Sequence, residues 1–507
     1  MMPAANIQGR RLSELFDSLP QGLDCMVSDL TQDSRDVTPG CLFLARQGGS
    51  VHGLDYFKVV VEKGAEAVAA EPSAEWSAER IAEIRRESGF PLFAVEGLGM
   101  KSSAIASAFF GEPSASLYMV GITGTNGKTS CSHAIAQAMM GVQRMAVVGT
   151  LGNGEPGALK AATHTTPDAV ELQRMLAGFK QQGVESVAME VSSHALDQGR
   201  IEAVRFDTAV FTNLSRDHLD YHGDMESYGT AKKRLFLMPG LKVAIVNGDD
   251  PFAGELIDGI REDVRLVVYG QGELSESLIE RADRMVKAEM LKTTPDGLNI
   301  SVRVDGRSGE IQSQWMGRFN ASNLLAVLAV LLESEIEIEP ALKAVAELKV
   351  VGGRMEPFGG GEQPSVVVDY AHTPDALEQV LLALRGHCRG QLICLFGCGG
   401  DRDKGKRPLM GKAAEKLADR VIVTDDNPRH EMGDAIVADI LTGMTSPDQV
   451  EVERDRAKAI AMAIETAEAG DIVAVCGKGH ETTQQIGDLV HEFSDRDQVL
   501  KRLGVVS

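Results

Sequence analysis

Residues 121–130 read Gly121-Ile-Thr-Gly-Thr-Asn-Gly-Lys-Thr-Ser130. Before them stands the apolar run Leu117-Tyr-Met-Val120, which reads as a buried strand; after them Cys131, Ile135 and Met139 recur at helical spacing. A strand, a glycine turn and a helix in that order make a phosphate loop. Glycines let backbone N–H groups curl around phosphate oxygens, and the helix start adds a favourable dipole. Lys128 reaches the terminal phosphates in such a loop, and the Thr129 hydroxyl is placed to ligate Mg²⁺. The strict spacing wants glycine where Ile122 stands, so the loop is a variant. The bland alternative is a glycine-rich turn with an incidental Lys-Thr. The flanking strand and helix favour a nucleotide, ATP or similar.

Working outward, further short strands are expected at Met145–Val148, Ser186–Met189, Thr208–Phe211 and Val243–Val246, with helix-length stretches between them. That alternation marks a parallel sheet with crossover helices. Upstream, a first block runs to about Pro113, with strand-like runs at Cys41–Leu44, Ala67–Ala70 and Pro91–Val95. Downstream, a third block opens near Val350 with strands at Ser365–Val368, Gln391–Phe396, Arg420–Val423 and Asp471–Val475. Between these, helical patterns span Pro374–Arg385, Pro408–Leu417 and Ala435–Met444, giving a second doubly wound α/β domain. Polar clusters follow its strands at Asp369–His372, Gly397–Asp403, Asp425–Arg429 and Gly477–Glu481. Ligands of open α/β sheets bind beyond the carboxyl ends of strands, so the four loops are expected on one rim.

A chain of 507 residues exceeds one hydrophobic core, and 43% apolar with 24% charged residues is ordinary globular composition. A net charge of −22 argues against a nucleic-acid partner, which needs a basic surface. The seven cysteines (Cys25, Cys41, Cys131, Cys388, Cys394, Cys398, Cys476) form no CxxC pair and are expected as free thiols. Met1–Arg10 lacks the pattern of a secretory signal, and no run of about 18 apolar residues suggests a membrane span. A cytoplasmic protein is expected.

Gly124-Thr-Asn-Gly-Lys-Thr-Ser130 occurs with Glu190-Val-Ser-Ser-His194, Asn213-Leu-Ser-Arg-Asp-His218, Asp369-Tyr-Ala-His372 and Gly477-Lys-Gly-His-Glu481, in that order. Together they closely resemble the Mur ligase family, from about Asp33 to the C-terminal end. The resemblance implies an α/β protein of three domains. Residues 1–113 would hold a UDP-linked substrate, 114–348 would be a P-loop ATPase with a mostly parallel sheet, and 349–507 a Rossmann-like amino-acid-binding domain. The implied activity uses ATP and Mg²⁺ to turn the D-glutamate γ-carboxylate of UDP-N-acetylmuramoyl-L-Ala-D-Glu into an acyl phosphate, which an amine then attacks. Peptidoglycan synthesis, a monomer, no membrane span and no nucleic acid go with it.

Residue by residue, the resemblance makes Gly124, Thr125, Asn126, Gly127, Lys128, Thr129 and Ser130 the phosphate cradle. Asn320 and Asn323, in Gly317-Arg-Phe-Asn-Ala-Ser-Asn323, would meet adenine, and Arg354 and Asp369 other parts of ATP. Thr129, Glu190 and His218 match metal-site positions. Lys232, in Tyr228-Gly-Thr-Ala-Lys232, matches a carbamylated lysine that would hold a second Mg²⁺; Lys128, Glu190, His218 and Lys232 form the implied catalytic set. The UDP-substrate would meet Ser34, Gly49, Ser50, Val51, Thr165, Thr166, Ser192, Gln198 and Arg200. His164 stands where some relatives carry asparagine. Without the resemblance most of these residues read as turns, caps or surface charges.

Asp426-Asn-Pro-Arg429 has the form of family members that add meso-diaminopimelate. Arg402 and Arg429 would clamp its distal carboxylate, with Asp426, Asn427 and Pro428 beside them and Gly477 and Glu481 near its distal amine. L-Lysine lacks that carboxylate, and a lost charge-assisted bond costs about 1.5–3 kcal/mol, over tenfold in discrimination. The competing expectation is that both arginines pair with Asp401, Asp403 and Asp425 instead. Rival readings are a lysine-adding ligase of the same kind, a folylpoly-γ-glutamate synthetase, and a non-catalytic nucleotide-binding protein.

Overall fold

The computed structural model describes residues 9–49 and 51–505. Ser50 and most of the Met1–Arg10 segment lie outside the described residues. The chain forms two compact units, residues 1–268 with 275–283, and residues 269–274 with 284–507.

The first unit begins with a four-stranded parallel sheet, β1 (Asp29–Thr31), β2 (Cys41–Ala45), β3 (Ala67–Ala70) and β4 (Leu92–Ala94), in sequence order. Alternation along these strands feeds two cores. Leu42, Leu44, Ala67, Ala69 and Phe93 pack on one face, and Phe43, Val68 and Leu92 on the other. The first face is covered by helix α1 (Leu98–Phe109).

The second sheet is built from β5 (Tyr118–Thr123), β6 (Met145–Gly149), β7 (Gly152–Gly154), β8 (Ser186–Glu190), β9 (Thr208–Phe211) and β10 (Val243–Asn247). These six lie side by side in the order β10-β9-β5-β8-β6-β7, parallel except for β7. Helix α2 (Lys128–Met139) follows β5 and buries Cys131, Ile135 and Met139, the stripe expected from spacing. Helix α3 (Ala169–Gln181) turns Val170 and Ala177 into the core of the first sheet, and Arg174 pairs with Asp29 at 2.7 Å.

Register positions the site. Glu190 at the end of β8 aligns with Ile122 of β5, and Phe211 at the end of β9 aligns with Thr123. Three adjacent parallel strands therefore release their loops side by side, after residues 123, 190 and 211.

The second unit opens with an antiparallel meander, β11 (Arg284–Thr294), β12 (Gly297–Val304) and β13 (Arg307–Ser313), bulged between Ala288 and Met290. The sequence reading has no counterpart for it. Helix α4 (Arg318–Glu333) follows. Then come β14 (Glu356–Gly359), β15 (Ser365–Asp369), β16 (Leu392–Phe396), β17 (Arg420–Val423), β18 (Glu451–Val452) and β19 (Ile472–Cys476). They form one sheet of order β14-β15-β19-β16-β17-β18, parallel but for β14. Val367, Cys394 and Phe396 face one core and Val366, Val368, Ile393 and Leu395 the other, the period of two that a doubly covered sheet requires. A hairpin, β20 (Thr483–Ile486) with β21 (Leu489–Glu492), follows β19 and leaves Ile486, Leu489 and Val490 exposed. All seven cysteines are free.

Candidate active site

At the phosphate end, Gly124 and Gly127 take φ of +149° and +87°. A Cβ on Gly124 would lie 1.9 Å from the Thr212 hydroxyl, so the close approach of β9's loop excludes any side chain there. That loop braces the cradle. Asn213 accepts the Asn126 N–H at 2.9 Å and Thr212 donates to the Asn126 carbonyl at 2.6 Å. Lys128 lies over its own loop, donating to the carbonyls of Gly124 and Thr125 at 2.7 and 2.8 Å. Gly124 to Ser130 thus form one loop-and-helix start.

Glu190 is 1% exposed, yet its carboxylate is well partnered. It accepts the Thr129 hydroxyl at 2.9 Å, the Thr150 N–H at 2.8 Å and the Thr150 hydroxyl at 3.2 Å. Thr129 and Glu190 therefore offer adjacent hard oxygens at the loop, a donor set that suits Mg²⁺ better than a softer metal. Such a site takes one or two carboxylates and fills its remaining positions with phosphate and water. Among the described residues, no group of three His, Cys, Asp or Glu side chains is gathered to hold a metal.

His218 sits elsewhere in this region, half-exposed and at φ +53°, with its ring 5.0 Å from that of His194. His194, His218, His222 and Tyr221 form an aromatic cluster over Tyr228, whose ring is 5.2 Å from His222. Tyr228 links the pieces. Its hydroxyl is 3.2 Å from that of Thr125, its ring lies 4.3 Å from Lys232 Nζ, and burial pushes its phenol up to about 12. Lys232 is 1% exposed. Burial first, then the like charge of Lys128, hold its ammonium well below the ordinary lysine range. An uncharged amine is the form that can add CO₂, so the environment fits a carbamate.

Beside Glu190 the substrate candidates converge. Thr165 and Thr150 share a hydrogen bond at 3.0 Å, Thr166 donates to the Glu190 carbonyl at 2.8 Å, and Ser192 N–H donates to Thr166 at 3.0 Å. Arg200 donates to the Thr166 carbonyl at 3.0 Å and twice to Gln198 Oε1. Ser192 caps the next helix. His164 is exposed and its ring meets the hydroxyl of its neighbour Thr163 at 3.1 Å. Ser34 follows β1, and Gly49 and Val51 follow β2; Lys63 anchors the Ser34 carbonyl at 2.9 Å.

In the second unit, Asn323 donates to Asn320 Oδ1 and Asn320 to the Met316 carbonyl, both at 2.8 Å. Arg354 stacks on the Tyr370 ring at 4.9 Å. Both Asp369 oxygens accept backbone N–H groups, from Met355 and Ala371, at 2.8 and 2.7 Å. Burial raises the Asp369 carboxyl and Arg354 opposes that.

The four polar loops do share a rim. Gly477 N–H donates to the Asp369 carbonyl, a Cβ on Gly397 would strike the Thr424 carbonyl, and one on Gly400 would strike that of Pro428. Arg402 and Arg429 both border Gly399. Neither pairs with a carboxylate among the described residues; Arg402 donates to the Asp401 carbonyl and Arg429 to that of Gly400. The nearby acids are taken by other groups, Asp425 by Arg454 and Asp401 by His430. Asp426 and Asn427 turn inward, Asn427 donating to Glu481 at 3.0 Å. The arginine–aspartate pairing weighed as an alternative is not what forms.

Sequence reasoning passed over Thr150, Asn213, Tyr228 and Lys478. Tyr228 stood four residues before Lys232 on one helix face, a spacing that brings side chains together. Asn213 opens the motif that ends at His218 but was given no role of its own, and Thr150 carried no local signal.

Residues 27–108 match the Mur ligase family catalytic domain, 122–331 the Mur ligase middle domain and 353–479 the Mur ligase glutamate ligase domain. The chain belongs to the Mur ligase family. It is 49% identical over 490 residues, 96% of each chain, to the UDP-N-acetylmuramoyl-L-alanyl-D-glutamate–2,6-diaminopimelate ligase of Ectopseudomonas mendocina. It is 48% identical over 496 residues to the ligase of that name from Pseudomonas aeruginosa, covering 97% of this chain and 98% of the other. A solved structure of a ligase of that name superposes with a TM-score of 0.71 at 33% identity, covering 98% of this chain and 99% of the other. These matches include the N-terminal block that a folylpolyglutamate synthetase does not need. As a Mur ligase the chain is an ATP-dependent amide-bond-forming enzyme with three α/β domains.

Proposed function

We propose that this Mur ligase adds meso-diaminopimelate to UDP-N-acetylmuramoyl-L-Ala-D-Glu in the cytoplasm, acting as a monomer, with domains at 1–113, 114–348 and 349–507. Among the described residues no helix is long and apolar enough to cross a membrane.

A carboxylate is a poor electrophile. Attack of its oxygen on the γ-phosphorus of ATP releases ADP and leaves an acyl phosphate, a good acyl donor. The amine nitrogen then attacks the acyl carbon, and the tetrahedral intermediate expels phosphate while the amine's proton leaves. Two anions meet in the first step, so positioned cations and N–H groups supply most of the rate. Lys128 and the Gly124–Ser130 amides orient the phosphates, and Thr165, Thr166, Ser192, Gln198 and Arg200 orient the peptide substrate. Thr129 and Glu190 would hold Mg²⁺, with His218 near, and Lys232 as its carbamate would hold a second ion. Bound Mg²⁺ neutralises phosphate charge.

The observation that carries the choice of amine is the pair Arg402 and Arg429 at Gly399, neither of them engaged by the carboxylates around it. Two such guanidiniums suit a ligand carboxylate. The test is phosphate release from ATP and Mg²⁺ with UDP-N-acetylmuramoyl-L-Ala-D-Glu, with and without meso-diaminopimelate, and with the product weighed by mass spectrometry. Release that needs all substrates, with a product heavier by one diaminopimelate less water, is expected. ATP turnover indifferent to the peptide substrate would overturn the reading.

A further inference from the structure

Lys478 is fully buried among the loops of the amine-binding rim. Its Nζ lies 2.8 Å from Glu481 Oε2, 3.2 Å from Asn427 Oδ1 and 3.6 Å from Asp426 Oδ1. An ammonium has three donors, and here three different residues, from two loops, face it. Asn427 Nδ2 also donates to Glu481 Oε2, at 3.0 Å. Both contacts thus fall on one carboxylate oxygen, while Oε1 has no hydrogen bond among the described residues. The Glu481 side chain keeps about a third of its surface open, at 32%.

We propose that Lys478 is a positioning residue for the incoming amino acid: it holds Glu481 in the orientation that presents Oε1 to the ligand's distal ammonium group. This rests on the amine assignment above. Lys478 makes no contact with the ligand itself. It lies behind Glu481 and joins that residue to the Asp426–Arg429 loop, so the carboxylate that reads the amine and the arginines that read the carboxylate are set in one frame. The electrostatics agree. Burial alone would raise the Glu481 carboxyl, and Lys478, together with Asn427 and His480, outweighs it, leaving Glu481 below the ordinary glutamate value. The charged and titratable groups facing Glu481 are Lys478, Asp426, His480 and Tyr370. Of these Lys478 is the cation in direct contact.

The experiment is steady-state kinetics against pH for the full-length enzyme, K478M, K478R, E481Q and the double variant K478M/E481Q, varying each substrate in turn. K478M should raise KM for meso-diaminopimelate over tenfold, the scale of a lost charge-assisted bond, with KM for ATP and for the UDP-substrate unchanged. Its acid limb of kcat/KM for diaminopimelate should move to higher pH, because Glu481 loses the cation that keeps it ionised. K478R should recover part of both effects, and on the E481Q background K478M should add nothing. An unmoved acid limb, a loss spread equally over all three substrates, or effects that multiply in the double variant would overturn the proposal. Should K478M not fold, E481Q decides: an unchanged diaminopimelate KM there overturns it too. Wild-type enzyme silent with meso-diaminopimelate would instead refute the functional reading, whatever the variants do.

Discussion

Glu190 and Lys232 are both buried at the phosphate end, yet their surroundings differ. Glu190 is surrounded by hydroxyl and amide donors, which stabilise a carboxylate; Lys232 faces an aromatic ring and a second lysine, which do not stabilise an ammonium. The first is suited to hold a cation, the second to become an anion by carbamylation. Glu190→Gln keeps the shape and removes the charge, and should lower kcat by about a hundred- to a thousandfold, as loss of one electrostatic stabiliser does. Equal kcat in a phosphate-release assay would refute that role. Lys232→Met should be as damaging, and mass spectrometry under bicarbonate should show an added carboxylate on wild type alone. Lys128, Glu190 and Lys232 were legible because each sits in a motif. Thr150, which gives Glu190 two hydrogen bonds, was not, because the contact spans forty residues and only the fold creates it.

At the scale of elements, the parallel strands were readable because they are buried on both faces. Ala67–Ala70 and Thr208–Phe211 form as expected, bounded where the apolar runs stop. The meander from Arg284 to Ser313 and the hairpin from Thr483 to Glu492 were missed. In the meander, Leu298, Ile300, Val302 and Val304 alternate as a half-buried strand does, a period-two signal that the reading passed over, whereas the hairpin strand Leu489–Glu492 is exposed throughout and carries no burial pattern. The hairpin is tied back by His430, whose ring lies 2.8 Å from Asp401 and 3.1 Å from Asp488. Those acids raise the His430 pKa above its unfolded value near 6.5. Its contribution is therefore complete below about pH 6.5 and fades as pH rises through the folded value. Hydrogen exchange, corrected for intrinsic rates, should show the hairpin better protected at about pH 6 than at about pH 8. In H430A that difference should vanish; its persistence would contradict the assignment. Gly124→Ala tests the cradle: with Thr212 Oγ1 1.9 Å from the new Cβ, ATP binding should be lost. Wild-type affinity in calorimetry would refute the close approach.

For the whole molecule, composition indicated a thiol-bearing, acidic, multi-domain globular protein. Cys131 and Cys398 are pushed up to about 12 by burial, so in native protein these two should react slowly with a thiol reagent, while unfolded protein should titrate all seven cysteines. Fewer than seven without reductant would reveal a disulfide. The two compact units were not foreseen, since the meander that follows the nucleotide-binding sheet in sequence belongs to the second unit. The substrate choice proposed above rests on Arg402, Arg429 and Glu481, which stand on three loops that follow strands of one parallel sheet. We propose that together they make the chain a ligase selective for a diamino diacid. The most direct test is the ratio of kcat/KM for meso-diaminopimelate to that for L-lysine, measured by phosphate release with saturating ATP and UDP-N-acetylmuramoyl-L-Ala-D-Glu. A ratio above about ten in wild type, collapsing in R429A, is predicted; a ratio near one, or one that favours lysine, would contradict the account.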